Sequence, residues 1–251
     1  MERDRDLDID QDDPWAEARR RHANERRVVI GCDIGKKLDA TCLCITEQVG
    51  DRFTCRDISR LPLKLDYGEQ ARRIAAAYHR TVALVATANE KDSYAAGGYM
   101  RSPSMDPDPA IRAQASIWVL IDAGGVGEPV VDGIRAAAGI PEGFLAGVQI
   151  TGGTTHSFRL GATNSTVSKQ FLVSQLKRLT GFVPPLLQLP QSKEAEELAE
   201  ELADFEMNIT DTAHPQWGAR QGQHDDMIIA LALSTLPGAM PMHHAGSTKY
   251  A

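Results

Sequence analysis

No stretch of this 251-residue chain approaches the ~20 consecutive apolar residues that a membrane helix requires, so no bilayer-spanning helix is expected. The first residues, Met-Glu-Arg-Asp-Arg-Asp, hold no apolar core and give no secretory signal. No G-x-x-x-x-G-K-[ST] occurs, which argues against ATP hydrolysis by this chain. Cysteine is scarce: four residues at 32, 42, 44 and 55, none in a C-x-x-C and none with histidine at zinc-finger spacing. They read as reduced core residues of a cytosolic protein, with a structural zinc site as the alternative. Positive charge is also short. With 27 basic and 34 acidic residues the formal charge is -7. That excludes a general nucleic-acid coat but not an enzyme that meets DNA through a local basic rim and bound metal ions. No internal repeat is present.

What remains is ordinary for a globular protein, at 42% hydrophobic and 24% charged, and long enough to bury a full core. Residues 1–25 carry seven acidic side chains between Glu2 and Asp13 and read as a flexible acidic segment. A folded domain is expected over 26–238 and a flexible tail over 239–251. Apolar, β-branched runs predict strands at 27–35, 40–48 and 52–63. Their short connections predict an antiparallel meander. A helix is expected over 69–79, a further strand over 81–86 and a long loop over 95–109. The second half alternates: strands at 117–121 and 145–151, a possible hairpin at 154–167, and a short strand at 186–189. Helices are expected at 129–138, 168–179, 192–205 and 226–236, with Pro237-Gly238 stopping the last. This pattern predicts an α/β fold: a mixed sheet covered by helices.

Three acidic elements stand at the exits of apolar segments. In the first strand Val29, Gly31, Asp33 and Gly35 share one face, so Asp33 lies near the buried sheet with open space on either side. An ionised carboxylate there needs a cation or donors, or else it takes a proton. The plainer reading is an aspartate that caps a turn. Ile117-Trp-Val-Leu-Ile-Asp122 repeats the design, followed by Ala-Gly-Gly-Val-Gly127. That spacing is not the dinucleotide-binding G-x-G-x-x-G. Asp225 and Asp226 open a helix that is apolar nearly all round, where two carboxylates also serve as cap and dipole partner. Brought together, these aspartates would repel one another, and hard divalent cations would resolve the repulsion. Two Mg²⁺ or Mn²⁺ ions ~4 Å apart would suit phosphodiester hydrolysis. Asp39 offers a further outer ligand or is a solvated turn residue.

Four motifs in this order resemble the nuclease domain of viral large terminase subunits: Asp33-x-Gly35-x-x-x-Asp39; Asp122-x-x-Gly-Val-Gly127-x-Pro129-Val-Val-Asp132; Ile150-Thr-Gly-Gly153; and His224-Asp-Asp-x-x-x-Ala-Leu-Ala-Leu233. The resemblance covers roughly residues 27–236. It implies an RNase H-like fold and metal-dependent cleavage of double-stranded viral DNA during genome packaging, in the host cytoplasm. It assigns Asp33, Asp122, Asp225 and Asp226 to catalysis and to the metals, with Asp39 in support. Lys169 matches a family lysine at a helix start and would reach a backbone phosphate, or is an exposed surface lysine. Lys36, Lys37, Arg159 and Arg220 are further candidate DNA contacts. The ATPase part of a complete large terminase is expected on a separate packaging ATPase, with a portal as a second partner. Two other readings stay open: a junction resolvase or transposase-like nuclease, and a non-catalytic assembly module of a packaging complex.

Overall fold

The computed structural model describes residues 26–35, 39–95, 109–124, 128–141, 143–153, 156–158, 164–210 and 225–239. The expected acidic segment, C-terminal tail and most of the 95–109 loop lie outside them. So do Lys36, Lys37, Arg159 and Arg220.

The first apolar run forms β1 (Arg26–Asp33), followed by β2 (Cys42–Val49) and β3 (Arg52–Arg60). Gly50 takes φ +62° in the turn between β2 and β3, a conformation open to glycine at little cost. The three strands pair antiparallel, as the short connections predict. β4 (Ile117–Asp122) and β5 (Leu145–Thr151) then add in parallel beside β1, and β6 (Asn164–Ser168) beside β5. A short β7 (Leu187–Gln188) pairs with β3 at the other edge. The described sheet has seven strands in the order β6-β5-β4-β1-β2-β3-β7. This is the mixed sheet expected above, with an antiparallel meander joined to parallel strands.

Helices cover both faces. Alternation sends Val28, Ile30, Cys32, Ile117, Val119 and Ile121 to one side, under α1 (Tyr67–Ala95), α2 (Pro109–Gln114) and α3 (Glu128–Ala138). The opposite side takes Val29 and Leu120 and packs under α4 (Lys169–Thr180), α5 (Lys193–Thr210) and α6 (Asp226–Ala239). The four cysteines are free and buried between these layers, as read from the sequence. None of the described helices is long and apolar enough to cross a membrane.

Three local expectations change. Residues 81–86 continue α1 instead of forming a strand. Ile74, Tyr78, Val82 and Val85 keep a helical spacing of buried positions. The β-branched Thr81 and Thr87 satisfy their hydroxyls on the carbonyls of Ala77 and Ala83, at 2.8 and 3.0 Å. Among the described residues, the hairpin expected over 154–167 is met as an antiparallel bridge between Ser157 and Thr166, and β6 itself pairs in parallel with β5. Finally, α6 runs past Pro237 to Ala239. The proline falls in the last turn, where it forfeits one helical bond while the buried Leu233 and Leu236 hold the segment in place.

The position of α6 is set by β1 and β2. A Cβ on Gly31 would lie 2.1 Å from the Ala230 carbonyl oxygen and 2.5 Å from the Ser234 amide nitrogen, both backbone atoms. Ser234 also shares a 2.7 Å hydroxyl contact with Thr46 on β2. Only glycine lets the helix come this close. Gly31→Ala is therefore expected to destabilise the fold by about 3 kcal/mol or more, the upper part of the usual range for overpacking. Urea denaturation measures this, and an unchanged midpoint would contradict the close approach.

Candidate active site

β1 and β4 are parallel and pair Cys32 with Ile121, so Asp33 and Asp122 are the next residues of adjacent strands, ~4.8 Å apart along the sheet. Asp33 follows Val29 and Gly31 on the α6 face, and Asp122 follows Leu120 on that same face. Because α6 runs antiparallel to β1, its first turn lies at the end of the sheet where Asp33 emerges. The sulfur of Cys44, opposite Gly31, faces the Met227 carbonyl, and Ser234 meets Thr46 farther along β2. Asp225 and Asp226 are thus delivered to the strand ends that carry Asp33 and Asp122. All four carboxylates are partly buried.

Their supports are local. The exit of β1 is fixed by Thr41, whose hydroxyl accepts from the Gly35 amide at 2.9 Å and donates to Gln70 Oε1 at 2.7 Å. Gln70 Nε2 in turn donates to the Leu65 carbonyl at 3.0 Å. Asp122 Oδ1 accepts from the Gly124 amide at 2.8 Å. The Asp225 carbonyl accepts from the Ile229 amide at 3.0 Å, so its backbone caps α6. Its side chain does not serve as that cap. It accepts from the Lys169 ammonium, which reaches across from the first residue of α4. The Asp225 carboxylate therefore faces another element of the fold.

The electrostatics follow from this crowding. Burial, then the charges of Asp122, Asp226 and Asp225, push the Asp33 carboxyl up from 3.8 to about 8, while Lys169 opposes them. Asp122 is also raised, first by burial, with the Gly124 amide and Lys169 pulling the other way.

Asp39 is exposed in the turn between β1 and β2. Lys169, read from the sequence as a phosphate contact or a surface lysine, meets the Asp225 carboxylate.

Two residues of this region carry no sequence signal. Arg60 ends β3 directly opposite Cys42, which is itself opposite Asp33. Its guanidinium donates to Glu201 Oε1 on α5 at 2.8 Å and lies 3.7 Å from Glu197. Burial raises Glu201 to about 7, with Asp226 and Asp225 adding to the effect. Nothing in the chain pattern links a strand-ending arginine to a glutamate 141 positions later.

Among the described residues no three His, Cys, Asp or Glu side chains stand close enough to hold a metal ion as they are. The donor chemistry nevertheless fits one. The groups at this end of the sheet are carboxylates, which suit Mg²⁺ or Mn²⁺, and burial together with the neighbouring aspartates raises Asp33 to where a cation would lower it again.

No known protein-family model and no curated protein matches the chain. Solved structures similar to it include the large terminase nuclease from thermophilic phage G20c, at 16% identity over 84% of this chain and 82% of that one, TM-score 0.46. The same nuclease with bound magnesium gives 17% identity, coverages of 84% and 80%, and TM-score 0.46. The manganese-soaked human cytomegalovirus terminase nuclease domain gives 10% identity, coverages of 88% and 92%, and TM-score 0.47. At these identities and TM-scores, what the site does must be read from its own geometry.

The raised carboxyls make stability depend on pH. Between about pH 4 and pH 8 the folded, metal-free protein keeps the Asp33 proton that the unfolded chain has released, so stability falls as pH rises through that window. Glu201 adds a slope of the same sign up to about pH 7. Thermal melts in EDTA from pH 5 to pH 8 should show a falling Tm, with a shallower fall in Asp33→Asn. A Tm that rises with pH, or an equal slope in the variant, would contradict the raised carboxyl.

Proposed function

We propose that this chain is a metal-dependent endonuclease of terminase type that cleaves double-stranded viral DNA during genome packaging. The observation that carries the reading is the meeting of Asp33, Asp122, Asp225 and Asp226 where two parallel strands end and a buried helix begins. A cap or turn role accounts for each aspartate alone. It does not account for all four standing at one end of the sheet, where burial and then the neighbouring aspartates raise the Asp33 carboxyl. The order of the sequence motifs points the same way.

In this reading Asp33, Asp122 and one or both of Asp225 and Asp226 hold two divalent ions, Mg²⁺ or Mn²⁺. Bound there, such ions supply a water of lowered pKa and stabilise the leaving oxygen of a phosphodiester. The chain's own contribution is placement. The sheet fixes Asp33 and Asp122 in register, so the backbone that carries them need not move when their oxygens gather on a cation. The Gly124 amide holds Asp122 Oδ1 and sets the direction of the other oxygen. The α6 N-terminus adds a partial positive charge beneath Asp225 and Asp226. DNA approaches along the C-terminal ends of the parallel strands, where Lys169 is the described cation of the site. A packaging ATPase and portal are the partners this role requires.

Purified protein with supercoiled plasmid and Mn²⁺ or Mg²⁺ tests the proposal. Nicking or linearisation is expected, abolished by EDTA and reduced by a factor of about 100 or more in Asp122→Asn. Linear duplex should be cut at least as well as a four-way junction. Preference for the junction would favour a resolvase, and absence of both cleavage and Mn²⁺ binding would favour an assembly module.

A further inference from the structure

Lys169 occupies an unusual position for a surface helix start. Its backbone is held on both sides: Ser168 ends β6 in register with Thr151, and the Ser168 hydroxyl accepts from the Phe171 amide at 3.1 Å to cap α4. From that fixed point the side chain reaches Asp225, and the two side chains are only 22% and 24% exposed. The same charge acts on Asp33 and Asp122, favouring their ionised forms. One ammonium therefore compensates three of the four aspartates. An ammonium has three donors and no acceptor, so it cannot join a metal's ligand shell. A divalent ion on Asp225 and the ammonium on that carboxylate also repel each other at close range in a partly desolvated site.

We propose that Lys169 is the resident counter-cation of the site, that it leaves Asp225 when a divalent ion binds there, and that the released ammonium turns to the DNA backbone. The inference rests on the metal-dependent reading above. Lys169 and the divalent ion are then alternative partners of Asp225. The lysine keeps the carboxylates together before loading and becomes a phosphate contact only afterwards, so metal precedes DNA. The two sequence readings of Lys169, phosphate ligand and idle surface charge, give way to a residue with two successive partners.

Calorimetry without DNA tests the exchange. Lys169→Met, which keeps the stem and removes the charge, should bind Mn²⁺ about tenfold more tightly than the wild type, the scale of one lost charged hydrogen bond. Lys169→Arg, which keeps the charge, should stay within about twofold. A second measurement needs no variant: reductive methylation of the wild type, read by mass spectrometry, should label Lys169 faster in Ca²⁺ than in EDTA relative to the other lysines. Unchanged or weaker Mn²⁺ binding by a folded Lys169→Met, or labelling that ignores Ca²⁺, overturns the exchange and leaves the nuclease reading standing. No Mn²⁺ uptake by the wild type overturns both.

Discussion

Repulsion among Asp33, Asp122, Asp225 and Asp226, opposed by the ammonium of Lys169, is the interaction on which the rest of this structure turns. Carboxylates held side by side at a partly buried strand end favour protons or cations over one another. At Asp33, burial first and then the neighbouring aspartates lift the carboxyl to about 8. A chain that carries such an arrangement gives up stability at neutral pH for it, which is typical of groups kept for binding or chemistry.

The fold supplies the rigidity that holds these charges together. Parallel pairing of β1 with β4 fixes the register of two aspartates without any help from side chains. The absence of a side chain at Gly31 lets the backbone of α6 rest on β1, and the Thr46–Ser234 contact fixes its height. The first turn of α6 has little freedom to move away from Asp33. Fully buried residues on both sides of the sheet, Ile30 and Ile121 on one and Leu172, Leu198 and Leu231 on the other, hold the strands between two helical layers. Binding energy from an incoming cation therefore need not reorganise the backbone.

Much of this was legible in the sequence because apolar runs and their periodicity are local. The runs that end at Asp33 and Asp122 announce buried strands with a charge at the exit, and the apolar helix after Asp226 announces burial at its start. Gly31 also stands out as a glycine within a strand, although its reason is visible only against Ala230. Residues 81–86 misled because β-branched threonine and valine favour strands in isolation, whereas burial of Val82 and Val85 on the helical period decides the outcome. Arg60 and Glu201 were invisible because their pairing joins distant parts of the chain. The Lys169–Asp225 pair has the same origin. The sequence offered a helix-start lysine and a helix-start aspartate, and only the packing of α4 beside α6 makes them partners.

A crystal of the protein soaked in Mn²⁺, with anomalous scattering recorded at the manganese edge, addresses the central claim directly. The account predicts strong density at the ends of β1 and β4, ligated by Asp33, Asp122 and at least one of Asp225 and Asp226, with the Lys169 ammonium withdrawn from Asp225. Anomalous density absent from that position, or an intact Lys169–Asp225 pair beside unligated Asp33 and Asp122, would contradict it.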